Sequence, residues 1–328
     1  MKARTISVLW AIFISVFAVA NSGRLYPSDR LSSGLITCIC QDTYGYIWIG
    51  TEYGLNKFDG YRFTQYQQIN GDTASIVGND IASLYVGYDG TLWVGCTRGL
   101  SRYDYETNSF HNYRFPDDRE PRVNALQESA DGKLYIGTTG YGLYSIAKGN
   151  SWIDYEGKFN RMVTNTFFNG MFFDREGCLW QSSQMNDLNR FIIRDGRPVS
   201  VQTMKTGQGR PVSFIDYTSD AMLVVCSKGI LRYSYKTRLL TDAGFDMSAL
   251  GDNVSVNTAF LSRDGHLFLG TTSNGLMVIP RGEKWLTRVE NTNRDIDLRL
   301  TNVSAINEDR SGNLWLGCYG KGLLTVSN

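Results

Sequence analysis

An excess of charge of either sign is missing from this 328-residue sequence, in which 33 lysines and arginines face 32 acidic residues for a formal net charge of +1. A nucleic-acid surface needs a clustered basic excess, so nucleic acid is not expected as a partner of this region. Histidine is scarce too, with two in the whole chain, and no Cys-x-x-Cys pair occurs. That rules against a zinc site, and nothing else in the sequence calls for a metal or a cofactor. Six prolines against 34 glycines, with 13% aromatic residues, fit many short strands joined by tight turns. Long apolar runs are absent after the first 20 residues.

The exception is the N-terminus. Lys2 and Arg4 precede an apolar run from Ile6 to Ala20 that ends in Ala18-Val19-Ala20, and polar Asn21, Ser22 and Gly23 follow. A membrane-spanning helix needs roughly 20 apolar residues. The shorter run, with its small-residue end, reads as a secretory signal peptide over 1–20, removed after Ala20. Export to an oxidising compartment raises the question of disulfides among the six cysteines. Cys38 and Cys40 sit two apart on one strand face, a poor geometry for bridging each other. The other four fall at strand or turn positions of a repeat, so all six are expected as free, buried thiols.

The repeat decides the architecture. Gly45-Tyr-Ile-Trp48-Ile-Gly50-Thr51 recurs as Gly90-Thr-Leu-Trp93-Val-Gly95, Gly132-Lys-Leu-Tyr135-Ile-Gly137 and Gly177-Cys-Leu-Trp180. A worn fifth copy runs Ala221-Met-Leu-Val224-Val-Cys226. Gly265-His-Leu-Phe268-Leu-Gly270 and Gly312-Asn-Leu-Trp315-Leu-Gly317 complete the set. Leading positions 45, 90, 132, 177, 221, 265 and 312 lie 42 to 47 residues apart. That period, with apolar spacing of two broken by glycine turns, belongs to four-stranded propeller blades rather than helical hairpins. The fold expected is all-β: one seven-bladed β-propeller over 21–328, with second strands near 47–50, 92–95, 134–137, 179–182, 223–226, 267–270 and 314–317.

Each repeated residue has a structural task. The leading glycine supplies positive φ in the hairpin between strands A and B. The Trp or Tyr packs between blades, so a loss such as Trp93→Ala is expected to cost about 3–5 kcal/mol. The glycine after it admits the neighbouring backbone. Aromatic outer strands are expected at Tyr61–Tyr66, Phe110–Phe115 and Trp285–Val289. The seventh repeat ends without a fourth strand, and Arg24-Leu25-Tyr26 is available to supply one and close the ring.

The phrase from Cys40 to Gly60, CQDTYGYIWIGTEYGLNKFDG, resembles the two-component regulator propeller repeat, as does Leu31-Ser-Ser-Gly-Leu35 directly after the signal peptide. The resemblance covers essentially the whole mature chain. It implies the periplasmic sensor half of a Bacteroides-type hybrid two-component system, which joins sensor, histidine kinase and response regulator and detects glycan breakdown products. It also implies a second propeller and downstream domains as partners. No kinase follows the seventh repeat, so a fragment or truncated form is expected, without enzymatic activity of its own.

The repeat marks scaffold and assigns no binding residue. In a propeller the B–C loops emerge on one face, beside the D–A connections. Here they hold Tyr53, Arg98, Tyr141, Lys228, Asn274, Tyr319 and Lys321, with Gln184 and Asn186 in blade four, where the glycine turn is lost. Tyrosines stack on sugar rings, and Arg, Lys and Asn bind hydroxyl or acidic groups. These nine are the candidate oligosaccharide contacts. Two other functions stay open: a propeller lyase or hydrolase, and a structural or dimerising scaffold. Against an enzyme, His111 and His266 fall on an outer strand and on the opposite hairpin face, and Gly-x-Ser-x-Gly and His-Glu-x-x-His are absent.

Overall fold

The computed structural model describes residues 23–163, 165–183, 186–289 and 297–326. Segment 1–20, expected above to be a signal peptide, and Gln184 lie outside the described residues. Seven four-stranded antiparallel sheets account for nearly all the regular structure. Their innermost strands A are Ile36–Gln41, Ile81–Val86, Val123–Glu128, Gly170–Phe173, Pro211–Thr218, Val256–Leu261 and Val303–Glu308. Each touches the next around the circle, and the seventh touches the first. This is a seven-bladed β-propeller. The second strands B run Ile47–Thr51, Leu92–Cys96, Leu134–Thr138, Leu179–Ser182, Ala221–Cys226, Leu267–Thr271 and Leu314–Cys318.

Alternation of large apolar side chains with glycine on strand B produces the inter-blade packing. A Cβ on Gly95 would lie 2.6 Å from the Val123 carbonyl oxygen of the next blade. One on Gly270 would lie 2.8 Å from Val303 O, and one on Gly50 2.7 Å from Ile81 Cγ2. The repeat glycine is where the neighbouring strand A rests. Near the start of strand A a β-bulge recurs in blades one, two, three, five, six and seven. A bulge re-aims a side chain, and here it sends polar groups sideways: Thr37 Oγ1 donates to Ile81 O at 2.6 Å and Ser304 Oγ to Ile36 O at 2.6 Å.

The ring closes as the sequence predicts. Arg24–Pro27 pairs antiparallel with Gly322–Val326 as the outer strand of blade seven, in the register Leu25 to Leu324 and Tyr26 to Leu323. Tyr26 is buried against Trp315, Phe58 and Phe63, with ring centroids 6.1, 5.3 and 5.3 Å away. Outer strands are shorter than the aromatic pattern predicts: Phe63–Tyr66, Ser109–Tyr113 and Thr287–Arg288. The flanking aromatics fall outside the sheets for different reasons: Tyr61 is exposed, Phe115 is buried beyond the end of its strand, and Trp285 bridges Asp246 instead. Blade four departs the other way, with Asp187–Arg194 and Arg197–Lys205 forming a long hairpin turned at Asp195-Gly196, both at positive φ.

Trp48 and Trp180 are fully buried, as the repeat predicts, but Trp93 is only half-buried. The reason lies six residues earlier. Asp42, Asp174 and Asp309 each accept the indole N–H of the tryptophan six positions on, at 2.7, 2.8 and 2.8 Å. Gly87 stands at that position in blade two, and Trp93 makes no side-chain hydrogen bond among the described residues.

Candidate functional site

The B–C loops and the connections between blades meet on one face and are tied by backbone hydrogen bonds. Glu52 N donates to Leu35 O, Thr97 N to Asp80 O, Thr139 N to Arg122 O, Thr272 N to Ser255 O and Tyr319 N to Asn302 O, at 2.9–3.1 Å. A face built this way is held by the scaffold rather than by the loops' own contacts.

The cationic and amide candidates mostly serve that tying. Lys228 Nζ donates to the carbonyls of Asp252 and Val254 at 2.7 and 2.8 Å, and Asn274 Nδ2 to Leu250 O at 2.9 Å. Both grip the 250–254 segment that links blades five and six. Lys321 Nζ reaches Thr301 Oγ1 at 3.2 Å. Arg98 makes a bidentate pair with Glu120, Nε to Oε2 at 2.9 Å and Nη2 to Oε1 at 3.0 Å. Both partners are about half exposed, so the pair orients the loop more than it stabilises the fold.

The aromatic candidates remain open to water. Tyr53 is 65% exposed, Tyr141 45% and Tyr319 43%. Tyr319 Oη lies 3.4 Å from Glu52 Oε1, which brings the blade-seven loop beside the one that carries Tyr53. Arg98 and Tyr141 are joined through the connection between blades two and three: Arg119 sets its guanidinium 5.6 Å from the Tyr141 ring, next to Glu120. A cavity of about 640 Å³ opens there, lined by Arg98, Phe110, Tyr113, Arg119 and Glu120. Asn186 is exposed at φ 59°. The structure thus brings together Tyr53 with Tyr319, Arg98 with Tyr141, and Lys228 with Asn274, as three neighbourhoods on one face.

No catalytic grouping emerges among the described residues. His111 is exposed on the outer strand of blade two, and His266 sits in the A–B hairpin of blade six, where its Nδ1 accepts from Arg281 N. The six cysteines are unpaired. Burial pushes the Cys38, Cys226 and Cys318 thiols up to about 12, so they are protonated at neutral pH and poor nucleophiles. Asp174, Glu176 and Cys178 approach one another as metal ligands would. The Arg190 guanidinium occupies that place, with Nε 3.1 Å from Asp174 Oδ2 and Nη2 2.6 Å from Glu176 Oε2.

Sequence reasoning placed its candidates on one face and passed over a second concavity on the side of the ring, between blades two and three. Gly87, read against Asp42, Asp174 and Asp309, is the signal that marks it.

No helix among the described residues is long and apolar enough to cross a membrane. Residues 30–53 and 297–320 match the two-component regulator propeller model. Over 81 residues the chain is 38% identical to histidine kinase P4 of Formosa agariphila, a match that spans 22% of this chain and 6% of that protein. Among solved structures, the extracellular domain of a putative hybrid two-component system from B. thetaiotaomicron superposes with a TM-score of 0.78 at 22% identity. That match covers 93% of this chain and 42% of the other, so the chain spans less than half of it. Virginiamycin B lyase from Staphylococcus aureus superposes at 0.70 with 14% identity, over 94% of this chain and 99% of the lyase. At these identities the superpositions establish the fold. The chain is a seven-bladed propeller that carries the two-component regulator propeller repeat in its first and its last blade.

Proposed function

We propose that this propeller is a non-catalytic ligand-sensing module from the periplasmic portion of a hybrid two-component sensor, and that it detects oligosaccharide on its B–C face. The repeat match in blades one and seven carries this reading. Tyr53, Tyr141 and Tyr319 supply exposed rings for stacking on sugars, on loops already fixed by the scaffold. In this reading the second propeller and downstream domains of a longer protein, or a second copy of the chain, meet the rest of the same face or the rim.

Thermal-shift screening of the purified chain against oligosaccharides tests it. A ligand at a hundredfold excess over its Kd adds about 2.7 kcal/mol to stability by mass action. Tyr53→Ala with Tyr319→Ala should remove the shift and leave the unliganded melting temperature nearly unchanged. A panel of glycans that leaves the melting temperature unmoved would overturn the reading.

A second reading, a propeller lyase, is favoured by one observation, the superposition on virginiamycin B lyase over nearly its whole length. Turnover of an oligosaccharide to unsaturated, ultraviolet-absorbing products would select it. Self-association in sedimentation, without binding or turnover, would select a scaffold instead.

A further inference from the structure

Four clefts in this ring have a strand-B tryptophan in one wall, and three of them are shut from within. Between blades one and two, Asp42 Oδ2 accepts from Trp48 Nε1 at 2.7 Å and from Tyr105 Oη at 2.8 Å, and Tyr103 packs on the indole at 4.7 Å. Between blades four and five, Asp174 Oδ2 accepts from Trp180 Nε1 and Arg190 Nε, and Tyr233 packs on the indole at 4.8 Å. Between blades seven and one, Asp309 Oδ2 accepts from Trp315 Nε1 and Asn313 Nδ2, and Phe58 packs at 5.6 Å. Each closure therefore uses one carboxylate that collects two donors, and one aromatic ring from the next blade.

The cleft between blades two and three lacks both. Gly87 replaces the aspartate, and Ile146 and Lys148 stand where blade two has Tyr103 and Tyr105. What remains is a cavity of about 710 Å³. Trp93, Arg102 and His111 are directly paired across three adjacent strands and so share one face of the sheet, and all three line the cavity with Lys148. Arg102 is exposed and makes no ion pair or hydrogen bond among the described residues, whereas its counterpart Arg190 is buried on Asp174 and Glu176. The two carboxylates at the rim are already engaged with backbone: Glu128 Oε2 accepts from Tyr88 N and Asp89 Oδ1 from Thr91 N, each at 2.9 Å. The indole, the guanidinium and the ammonium thus line a cleft in which no carboxylate bonds the indole, while Glu128 Oε2 and Asp89 Oδ1 lie 3.0 and 3.1 Å from where a Cβ on Gly87 would stand.

We infer that this cleft is a binding site for a small ligand that brings its own carboxylate on a six-membered ring, the carboxylate replacing the missing aspartate and the ring replacing the missing aromatic. The site lies between blades, apart from the B–C face, and stands or falls independently of oligosaccharide binding there. A hexuronate and an aromatic acid share this chemistry, and the experiment separates them.

Titration calorimetry and tryptophan fluorescence on the full chain, at fixed ionic strength, use galacturonate and benzoate, with galactose and benzyl alcohol as matched neutral probes. Saturable binding of at least one acid, at least tenfold tighter than its neutral match, is expected, and which acid binds names the source. Arg102→Gln and Lys148→Gln should each weaken it roughly tenfold, since both side chains sit on the surface and neither supports the core. Gly87→Asp, which returns the internal carboxylate, should abolish binding with the near-ultraviolet circular dichroism of a folded protein retained. Equal affinity for the neutral probes, unchanged affinity in both glutamine variants, or no binding of either acid at millimolar concentration would each overturn the inference.

Discussion

Trp315 Nε1 lies 2.8 Å from Asp309 Oδ2, and the same aspartate accepts Ser311 N and Asn313 N on its other oxygen at 2.8 and 3.0 Å. One side chain therefore shapes the A–B turn and fixes the tryptophan that walls the next cleft. Burial alone would raise this carboxyl, but the hydrogen bonds from Asn313 and Trp315 and from the turn amides outweigh it and hold it below the usual carboxylate range. A depressed folded value means that its stabilising contribution is present above the unfolded value of about 3.9 and is lost as pH falls through the folded value. Asp309→Asn should flatten the fall of the melting temperature below about pH 4, at a neutral-pH cost of about 1–3 kcal/mol. A variant that retains the full acid sensitivity of the parent would show that other carboxylates govern it.

The same comparison ranks the tryptophans. Trp180→Ala removes a fully buried indole bonded to Asp174 and should cost about 3–5 kcal/mol. Trp93→Ala should cost only about 1–2 kcal/mol, because its indole is partly exposed and its N–H has no acceptor among the described residues. Urea melts of the two variants, side by side, give the order directly.

The repeat made the blade number, the second strands and the closing N-terminal strand readable because one residue set solves one packing problem each time. Gly50, Gly95 and Gly270 recur because each meets the next blade's strand A. The site was less readable. Lys228, Asn274 and Lys321 look like free polar groups in a sequence, and only the folded connections reveal the carbonyls and hydroxyl that occupy them. Gly87 was visible but had no meaning until three aspartates at the same position were seen to bond three indoles.

Gly95 offers the sharpest steric test. A Cβ there would also run into the Ser83 hydroxyl, which itself donates to Val123 O at 3.0 Å. Gly95→Val places three carbons where two blades touch and should cost at least about 3 kcal/mol, or prevent folding. Gly149→Ala is the control, in open space at a tight turn, where only its φ of 81° matters and about 1 kcal/mol is expected. Similar melting temperatures for the two would mean that the blades slide apart freely.

Buried thiols contribute to the alkaline limit, together with partly buried tyrosines such as Tyr85 and Tyr235 that burial also raises. Cys96, Cys226 and Cys318 have no exposed surface, and burial raises all three, Cys226 and Cys318 to about 12. An unfolded cysteine ionises near 8.5, so between that value and about 12 the unfolded chain binds fewer protons than the folded one. Stability must therefore fall as pH rises through this window. Cys226→Ala should melt with a shallower decline between pH 9 and 11 (the assay range, about 2 units inside the window), after correction for its lost packing. An unchanged slope would mean that this thiol gains water before the chain unfolds.

Ring closure rests on Tyr26 more than on the four backbone pairs beside it. Those pairs end at Pro27, which has no N–H to give, and the strand's other side chains are half-buried or exposed. Tyr26 alone reaches into the joint, where it touches Trp315 of blade seven and Phe58 and Phe63 of blade one. Tyr26→Ala should cost about 3–4 kcal/mol, near the upper range for a buried aromatic. Tyr26→Phe should cost little, because the ring contacts persist. Loss of the anchor also frees the edge of Gly322–Val326, whose unpaired N–H and C=O groups can then take a strand from another molecule. Light scattering on the alanine variant near its melting temperature should rise earlier and more steeply than for Trp93→Ala, which disturbs a cleft but uncovers no edge. Equal aggregation in the two would mean that the backbone pairs, and not the tyrosine, hold the ring shut.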